Sequence, residues 1–259
     1  MVLIKDIDAV LSRIAPAELS ESWDNDGIML CKSKDLQVKK ILIMLEVSKK
    51  GVMYAIENGF DLIVTHHPFI FRPLSRITDE TYEVIEMLVR NGICVLSYHT
   101  RMDSCDEGVN AVNAELLGLT NVRGFGGESQ SIGKIGELEN AMTAEEFGAF
   151  IKEKFGCGTV RASLLENPDR KIKTVAVVGG AGKSFFYDAY KAGADAYVTS
   201  EVAHNTFIDC KELDMCIFDC GHYFTENAVC GRFKEIIERN FKDSVCVEVY
   251  DVGSPYISL

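Results

Sequence analysis

The sequence predicts an α/β protein in which duplicated βαβ units form mixed, mainly parallel sheets covered by helices. Three observations predict it. Apolar runs of strand length alternate with helical patterns almost throughout the 259 residues, the signature of right-handed βαβ crossovers with both faces of a sheet covered. The order of these elements recurs in the second half. ENGFDLIVT (57–65) and KAGADAYVT (191–199) also share Gly, Asp, Val and Thr at the same places.

Taken in order, KKILIMLEV (39–47) predicts a strand, SKKGVMYAIENG a helix and DLIVT (61–65) a strand. After a loop with two prolines, DETYEVIEMLVRNG is a helix, ICVLSYH (93–99) a strand and DEGVNAVNAELLG a helix. A strand–helix–strand pattern follows in SIGKIGELE, TAEEFGAFIKEKF and TVRASLL, which is expected to pack beside or between the halves. TVAVV (174–178), KSFFYDAYKAG, DAYVT (195–199), SEVAHNTFIDCKEL and MCIFDC (215–220) repeat the alternation. GHYFTENAVCGRFKEIIERN is then a single helix and VCVEVYDV a last strand. From Ile43 to Thr65 is 22 residues, as is Val177 to Thr199, so a βαβαβ unit is duplicated. The expected division is 1–122 as the first half, 123–172 as the connecting segment and 173–259 as the second half.

Composition narrows the function. Lys+Arg 27 against Asp+Glu 39 gives a net charge of −12, which disfavours nucleic acid and anionic membranes, since both need clustered positive charge. The N-terminal stretch carries acids within its first eight residues and does not read as a signal peptide. No segment has the uninterrupted apolar length of a membrane span. Nine cysteines without a CxxC pair, several inside apolar runs, point to reduced, buried thiols in a cytoplasmic protein.

Ligands of open parallel sheets bind beyond the carboxyl ends of the strands. All five histidines fall there. His66 and His67 follow DLIVT, His99 and Asp103 follow ICVLSY, Ser200, Glu201 and His204 follow DAYVT, and His222 and Glu226 follow MCIFDC. Two adjacent histidines at the end of a buried strand are costly to bury without partners, which favours ligation. His222 and Glu226, four apart at a helix start, can share one face. The set His66, His67, Asp103, His222 and Glu226 offers mixed N/O ligation suited to Zn, Mn, Fe or Co. Five ligands exceed the needs of one catalytic zinc and suit two ions bridged by a carboxylate. His204, beside Asn205, reads as a structural or surface residue instead.

Other stretches carry less. GGAGKS (179–184) lacks the first glycine of a phosphate-binding loop, because that position is Val177. It is expected to make a tight strand–helix turn. ESWDNDGIML (21–30) places Ser22 where a calcium loop needs its first acid, and is expected to be a turn anchoring the only tryptophan. Cys216 and Cys220 share one face of a buried strand, so core packing outweighs a zinc site.

SWDNDG (22–27), THHPFIF (65–71), YHTRMD (98–103), KIGEL (134–138), VAVVGGAG (175–182) and GHYFTE (221–226), in that order, resemble the NIF three-like dinuclear metal-centre family, also labelled GTP cyclohydrolase 1 type 2 homologs. The chain is similar to the compact form without the large inserted domain. The resemblance implies two divalent metal ions held by His66, His67, Asp103, His222 and Glu226, with His99 close by. It also implies a ring-shaped homohexamer with its metal sites facing an inner cavity. It leaves Ser200, Glu201 and His204, at the rim of the site, without a role. The expected activity is metal-dependent hydrolysis of a small, anionic, phosphorylated or nucleotide-like substrate by a metal-activated water, with His99 as general acid–base. The alternative is a non-catalytic metal-binding adaptor or regulatory scaffold.

Overall fold

The computed structural model describes residues 1–129, 131–163, 167 and 169–257. It is a mixed α/β structure that falls into two compact units. Met1–Met102 with Val229–Val252 form one, and Asp103–Ala228 with Gly253–Leu259 form the other.

The first unit is built on a five-stranded sheet. Its order is Cys246–Val249, Lys40–Met44, Leu62–Thr65, Cys94–Ser97, Gly27–Leu30. The first four strands run parallel and Gly27–Leu30 closes the edge antiparallel to Cys94–Ser97. Leu62–Thr65 and Cys94–Ser97 are buried at every position, as expected of strands covered on both faces. Alternate residues Leu42, Met44, Ile63 and Val95 pack with Val52, Ala55 and Leu88 from the two covering helices, Lys49–Glu57 and Asp79–Asn91. Ser48 caps the first of these helices by accepting the Gly51 N–H at 3.1 Å, and Gly92, in the left-handed region at φ 68°, ends the second.

The second unit carries a six-stranded sheet. Its order is Thr120–Phe125, Gly133–Thr143, Lys171–Val177, Ala196–Thr199, Cys216–Asp219, Arg161–Ala162. Its central three strands are parallel and the flanking ones antiparallel. Val175, Val177, Ala196, Val198, Cys216 and Phe218 pack on one face with Phe147 and Ile151 of the helix Ala144–Phe155. Ala176, Val178, Tyr197 and Ile217 pack on the other face with Ala189 and Cys210. This period of two along each strand is what covering both faces requires.

The duplication is visible at atomic detail. Asp61 Oδ2 accepts the N–H groups of Lys39 and Lys40 at 2.7 and 2.9 Å. Asp195 Oδ2 accepts those of Lys173 and Thr174 at 3.0 and 2.8 Å. Each aspartate thus stands just before its own strand and holds N–H groups of the preceding one, at the start of Lys40–Met44 and at the register break within Lys171–Val177. Gly59 and Gly193 both hold positive φ in the preceding turn, which is why glycine recurs there.

Three features depart from the sequence expectation. The stretch predicted as one helix from Gly221 is two, His222–Glu226 and Val229–Phe241. The second of these, with the last strand, belongs to the first unit rather than with residues 173–228, because Cys246–Val249 pairs in parallel with Lys40–Met44. Within the segment expected to pack beside or between the halves, Gly133–Thr143 and Arg161–Ala162 are strands of the second sheet itself. The predicted strand TVRASLL ends on Leu164 and Leu165, outside the described residues. No helix among the described residues is long and apolar enough to cross a membrane.

Candidate metal centre

In the first unit, the strand Leu62–Thr65 delivers His66 and His67 beyond its carboxyl end. His67 N–H continues the ladder to the Leu45 carbonyl at 2.9 Å, and Pro68, with no N–H to give, stops it. Thr65 Oγ1 donates to the His67 carbonyl at 2.8 Å and also meets Ser97 Oγ at 2.8 Å. His66 is fully buried. One ring nitrogen from each of His66, His67 and His99 lies within 4.8 Å of the others.

The histidine tautomers follow from their partners. His66 Nδ1 is 3.0 Å from the Tyr98 carbonyl, which can only accept, so Nδ1 carries the proton. His67 Nδ1 meets Glu46 Oε2 at 2.9 Å, and His99 Nδ1 meets Asp24 Oδ1 at 2.8 Å. Asp24 also accepts from Thr100 N–H at 2.9 Å and Thr100 Oγ1 at 2.6 Å. Burial raises the Asp24 carboxyl, and the hydrogen bonds from His99 and Thr100 reverse that and hold it well below the usual carboxylate range. An ionised acceptor fixes Nδ1–H on His99 and turns the Nε2 lone pair outward. An imidazole oriented through Nδ1 by an oxygen acceptor is the arrangement that metal-binding histidines use.

In the second unit, Gly221 starts the short helix His222–Glu226, and its i,i+4 spacing brings His222 Nε2 to 2.9 Å from Glu226 Oε2. His222 Nδ1 meets Glu201 Oε1 at 2.7 Å, so a carboxylate oxygen stands at each nitrogen of the ring. Asp103, on the helix Thr100–Ser104, and Glu226 are both buried and bring carboxylate oxygens within 4.8 Å of each other. Two carboxylates this close in a low-dielectric setting favour a cation between them.

The Gly179–Gly180 turn makes the room for this arrangement. Its N–H groups donate to Asn110 Oδ1 at 2.7 Å and Thr225 Oγ1 at 3.0 Å. Asn110 Nδ2 donates in turn to the Asp103 carbonyl at 3.4 Å. A Cβ on Gly180 would lie 2.0 Å from Glu226 Oε1 and 3.1 Å from His222 Nε2. The donor set and this cleared space fit a divalent ion with N/O ligands.

Asp24, Glu46 and the role of Glu201 escaped the sequence reasoning. Glu46 stands just past the end of a strand, where the rule used for the histidines would have found it. Asp24 lies within SWDNDG, a stretch expected only to anchor Trp23. Trp23 is instead 57% exposed and meets His99 and Phe71 edge-on at 6.2 and 6.1 Å. Of the aromatics after Pro68, Phe69 packs on the core while Phe71 stays exposed beside Trp23. His204 is exposed at the start of its own helix, and Ser200 is buried against the Gly180 carbonyl.

Together the fold and the donor set define a duplicated α/β protein with histidine and carboxylate groups that could hold metal. Residues 2–254 match the Duf34/NIF3 (NGG1p interacting factor 3) family, and the chain belongs to it. It is 33% identical over 248 residues to a GTP cyclohydrolase 1 type 2 homolog of Clostridium perfringens, covering 93% of this chain and 94% of that one. It is 30% identical over 250 residues to GTP cyclohydrolase 1 type 2 of Helicobacter pylori, covering 96% of each. A crystal structure of a Staphylococcus aureus protein superposes with a TM-score of 0.89 at 26% identity, over 99% of both chains.

Proposed function

We propose that this protein is a metal-dependent hydrolase of a small phosphorylated or nucleotide-like substrate, with His66, His67, Asp103, His222 and Glu226 holding two divalent ions (Zn, Mn, Fe or Co). The observation that carries the proposal is the shared use of Nδ1. His66, His67 and His222 each engage Nδ1 with an oxygen, as does His99, so Nε2 is the atom each ring would offer to an ion, that of His222 standing 2.9 Å from Glu226 Oε2. The relatives' name supports a nucleotide-like substrate.

When bound, such ions lower the pKa of a water and neutralise an anionic substrate group. The chain's own residues do the rest. Glu46 and Glu201 orient His67 and His222 and raise their basicity as ligands. His99 accepts a proton at Nε2 and returns it to the leaving group, while Asp24 stabilises the imidazolium that forms. Trp23 and Phe71 flank His99 and limit its access to water. The assembly we propose is the cytoplasmic homohexamer that the family resemblance implies.

Elemental analysis by plasma mass spectrometry of tag-free protein, beside His67→Ala and Glu226→Ala, tests the site. About two transition-metal ions per chain, lost in both variants, is the expected result. A wild type that binds none after reloading with Zn, Mn, Fe or Co sinks it. For His99, unchanged turnover of an identified substrate by His99→Ala would remove the acid–base role.

A further inference from the structure

Two cysteines face each other at the edge of the first unit's sheet. Gly27–Leu30 runs antiparallel to Cys94–Ser97 with Leu30 opposite Val95, so the same register sets the next residue, Cys31, opposite the preceding one, Cys94. Side chains alternate between the faces along both strands. Leu30 and Val95 pack on the face covered by Lys49–Glu57 and Asp79–Asn91, which sends both cysteines to the other face. There a hydrogen bond joins the two sulfurs. We propose that Cys31 and Cys94 form an oxidation site, which a hydroperoxide converts reversibly to a cross-strand disulfide that pins the edge strand. The proposal does not depend on the hydrolase reading.

Geometry and access assign the two roles. Opposed residues of an antiparallel pair have Cα atoms about 4.5–5.5 Å apart, inside the range of about 4.4–6.8 Å that a disulfide spans. Cys31 is partly exposed and Cys94 is buried, so the peroxide meets Cys31 first. The Cys31 thiolate attacks the O–O bond and keeps one oxygen as a sulfenic acid. The alkoxide or hydroxide that leaves takes up the proton Cys31 lost. Cys94 then attacks the Cys31 sulfur, the S–O bond breaks, and the hydroxyl departs as water with the Cys94 proton. The two thiols together give up two electrons, and the peroxide accepts two. Lys32 N–H donates to Cys94 Sγ and keeps this second sulfur at the strand end beside Cys31. A thiol reductant reverses the bond by exchange.

The bond would act on a weakly held element. Gly27–Leu30 is half-buried at every position, and its register shifts between Ile28 and Leu30. Asp24 lies just before this strand, and His99 lies just after Cys94–Ser97. A disulfide between Cys31 and Cys94 therefore ties together the two segments that meet in the Asp24–His99 hydrogen bond. Reversible bonds of this kind are the use that reducing compartments make of paired thiols.

Full-length protein treated with a small excess of hydrogen peroxide, blocked with N-ethylmaleimide and mapped by mass spectrometry without reduction tests this. The expected product joins the Cys31 and Cys94 peptides within one chain, and dithiothreitol separates them. Oxidised wild type is expected to melt about 5–10 °C above the reduced protein and to exchange the Gly27–Leu30 amides at least about tenfold more slowly. Cys31→Ser should show neither change. Cys31 recovered as sulfinic acid beside a free Cys94, or joined to another cysteine or to a second chain, overturns the proposal. So does a Cys31 that stays a free thiol while the exposed Cys246 is oxidised, or a linked protein that melts no higher than the reduced one. The wild-type map decides the matter even if Cys31→Ser folds poorly.

Discussion

Asp24 holds His99 by a 2.8 Å hydrogen bond from Nδ1 while its second oxygen accepts both the N–H and the hydroxyl of Thr100. The carboxylate therefore fixes the imidazole in one tautomer and in one orientation. Asp24→Asn keeps the shape and reverses the logic, because an amide can turn its NH2 toward Nδ1. Histidine nitrogen NMR should report Nδ1–H for His99 in the wild type and a shift toward Nε2–H in the variant. Turnover, once a substrate is known, should fall by about 10²–10⁴. An unchanged tautomer would show that Asp24 does not orient His99.

The same carboxylate predicts a pH dependence. Burial raises the Asp24 pKa, but hydrogen bonds from His99 and Thr100 more than reverse this, leaving it below its ordinary 3.8. A depressed folded pKa stabilises above the unfolded value and ceases to do so as pH falls through the folded value. Urea titrations should show Asp24→Asn less stable than wild type by about 1–3 kcal/mol near neutrality. The gap should narrow once the pH drops below 3.8. A gap that widens in acid would have the wrong sign for this account.

Gly180 is expected to be intolerant of any side chain. Its φ of 63° costs an L-residue about 1–2 kcal/mol, and a Cβ there would collide with Glu226 and crowd His222. Gly180→Ala should lower the melting temperature and, if Glu226 and His222 hold metal, reduce metal content as well. Gly59→Ala serves as the control. It has a similar φ of 67° but nothing within 4 Å of its Cβ, so it should cost stability without touching metal. Equal metal content in the two variants would show that the space beside Glu226 is not needed for an ion.

The strands, their parallel pairing and the repeat were legible because both faces of each sheet are buried, which forces continuous apolar runs such as LIVT and AYVT. The candidate ligands were legible for a related reason, since polar residues after such runs stand out. The antiparallel strand Gly27–Leu30 was not, because its residues are only half buried and its pairing is set by Cys94–Ser97 far along the chain. The break after Glu226 was equally hidden. Asn227, which caps the first helix, is only a weak stop signal, and Val229–Phe241 belongs to the other unit. Asp24 and Glu46 were missed because an orienting carboxylate has no spacing rule of its own. It is recognised only by the imidazole it holds.

The repeat makes a quantitative prediction about Asp61 and Asp195. Each accepts two backbone N–H groups from the strand before it. Replacing either by alanine should cost about 1–2 kcal/mol, since two backbone donors lose a charged acceptor. Asp195→Ala should cost somewhat more, because Asp195 also meets Arg170 at 3.4 Å. Denaturant titration of each variant checks this. A negligible effect at one site would show that the duplicated cap is kept there for something other than stability.

The nine thiols should differ sharply in reactivity. Burial pushes Cys94, Cys105 and Cys216 up to about 11 and Cys210 up to about 12. The hydrogen bond with Cys31 adds to the effect at Cys94. Since the thiolate is the nucleophile, these four should resist alkylation in the folded protein at pH 8 for want of both thiolate and access. Cys246 is exposed and Cys31 partly so. Brief iodoacetamide treatment followed by mass spectrometry should therefore label Cys246 first and Cys31 next, and all nine only after denaturation. Early labelling of Cys210 would mean that the helix His204–Glu212, which carries it packed on the second sheet, opens readily.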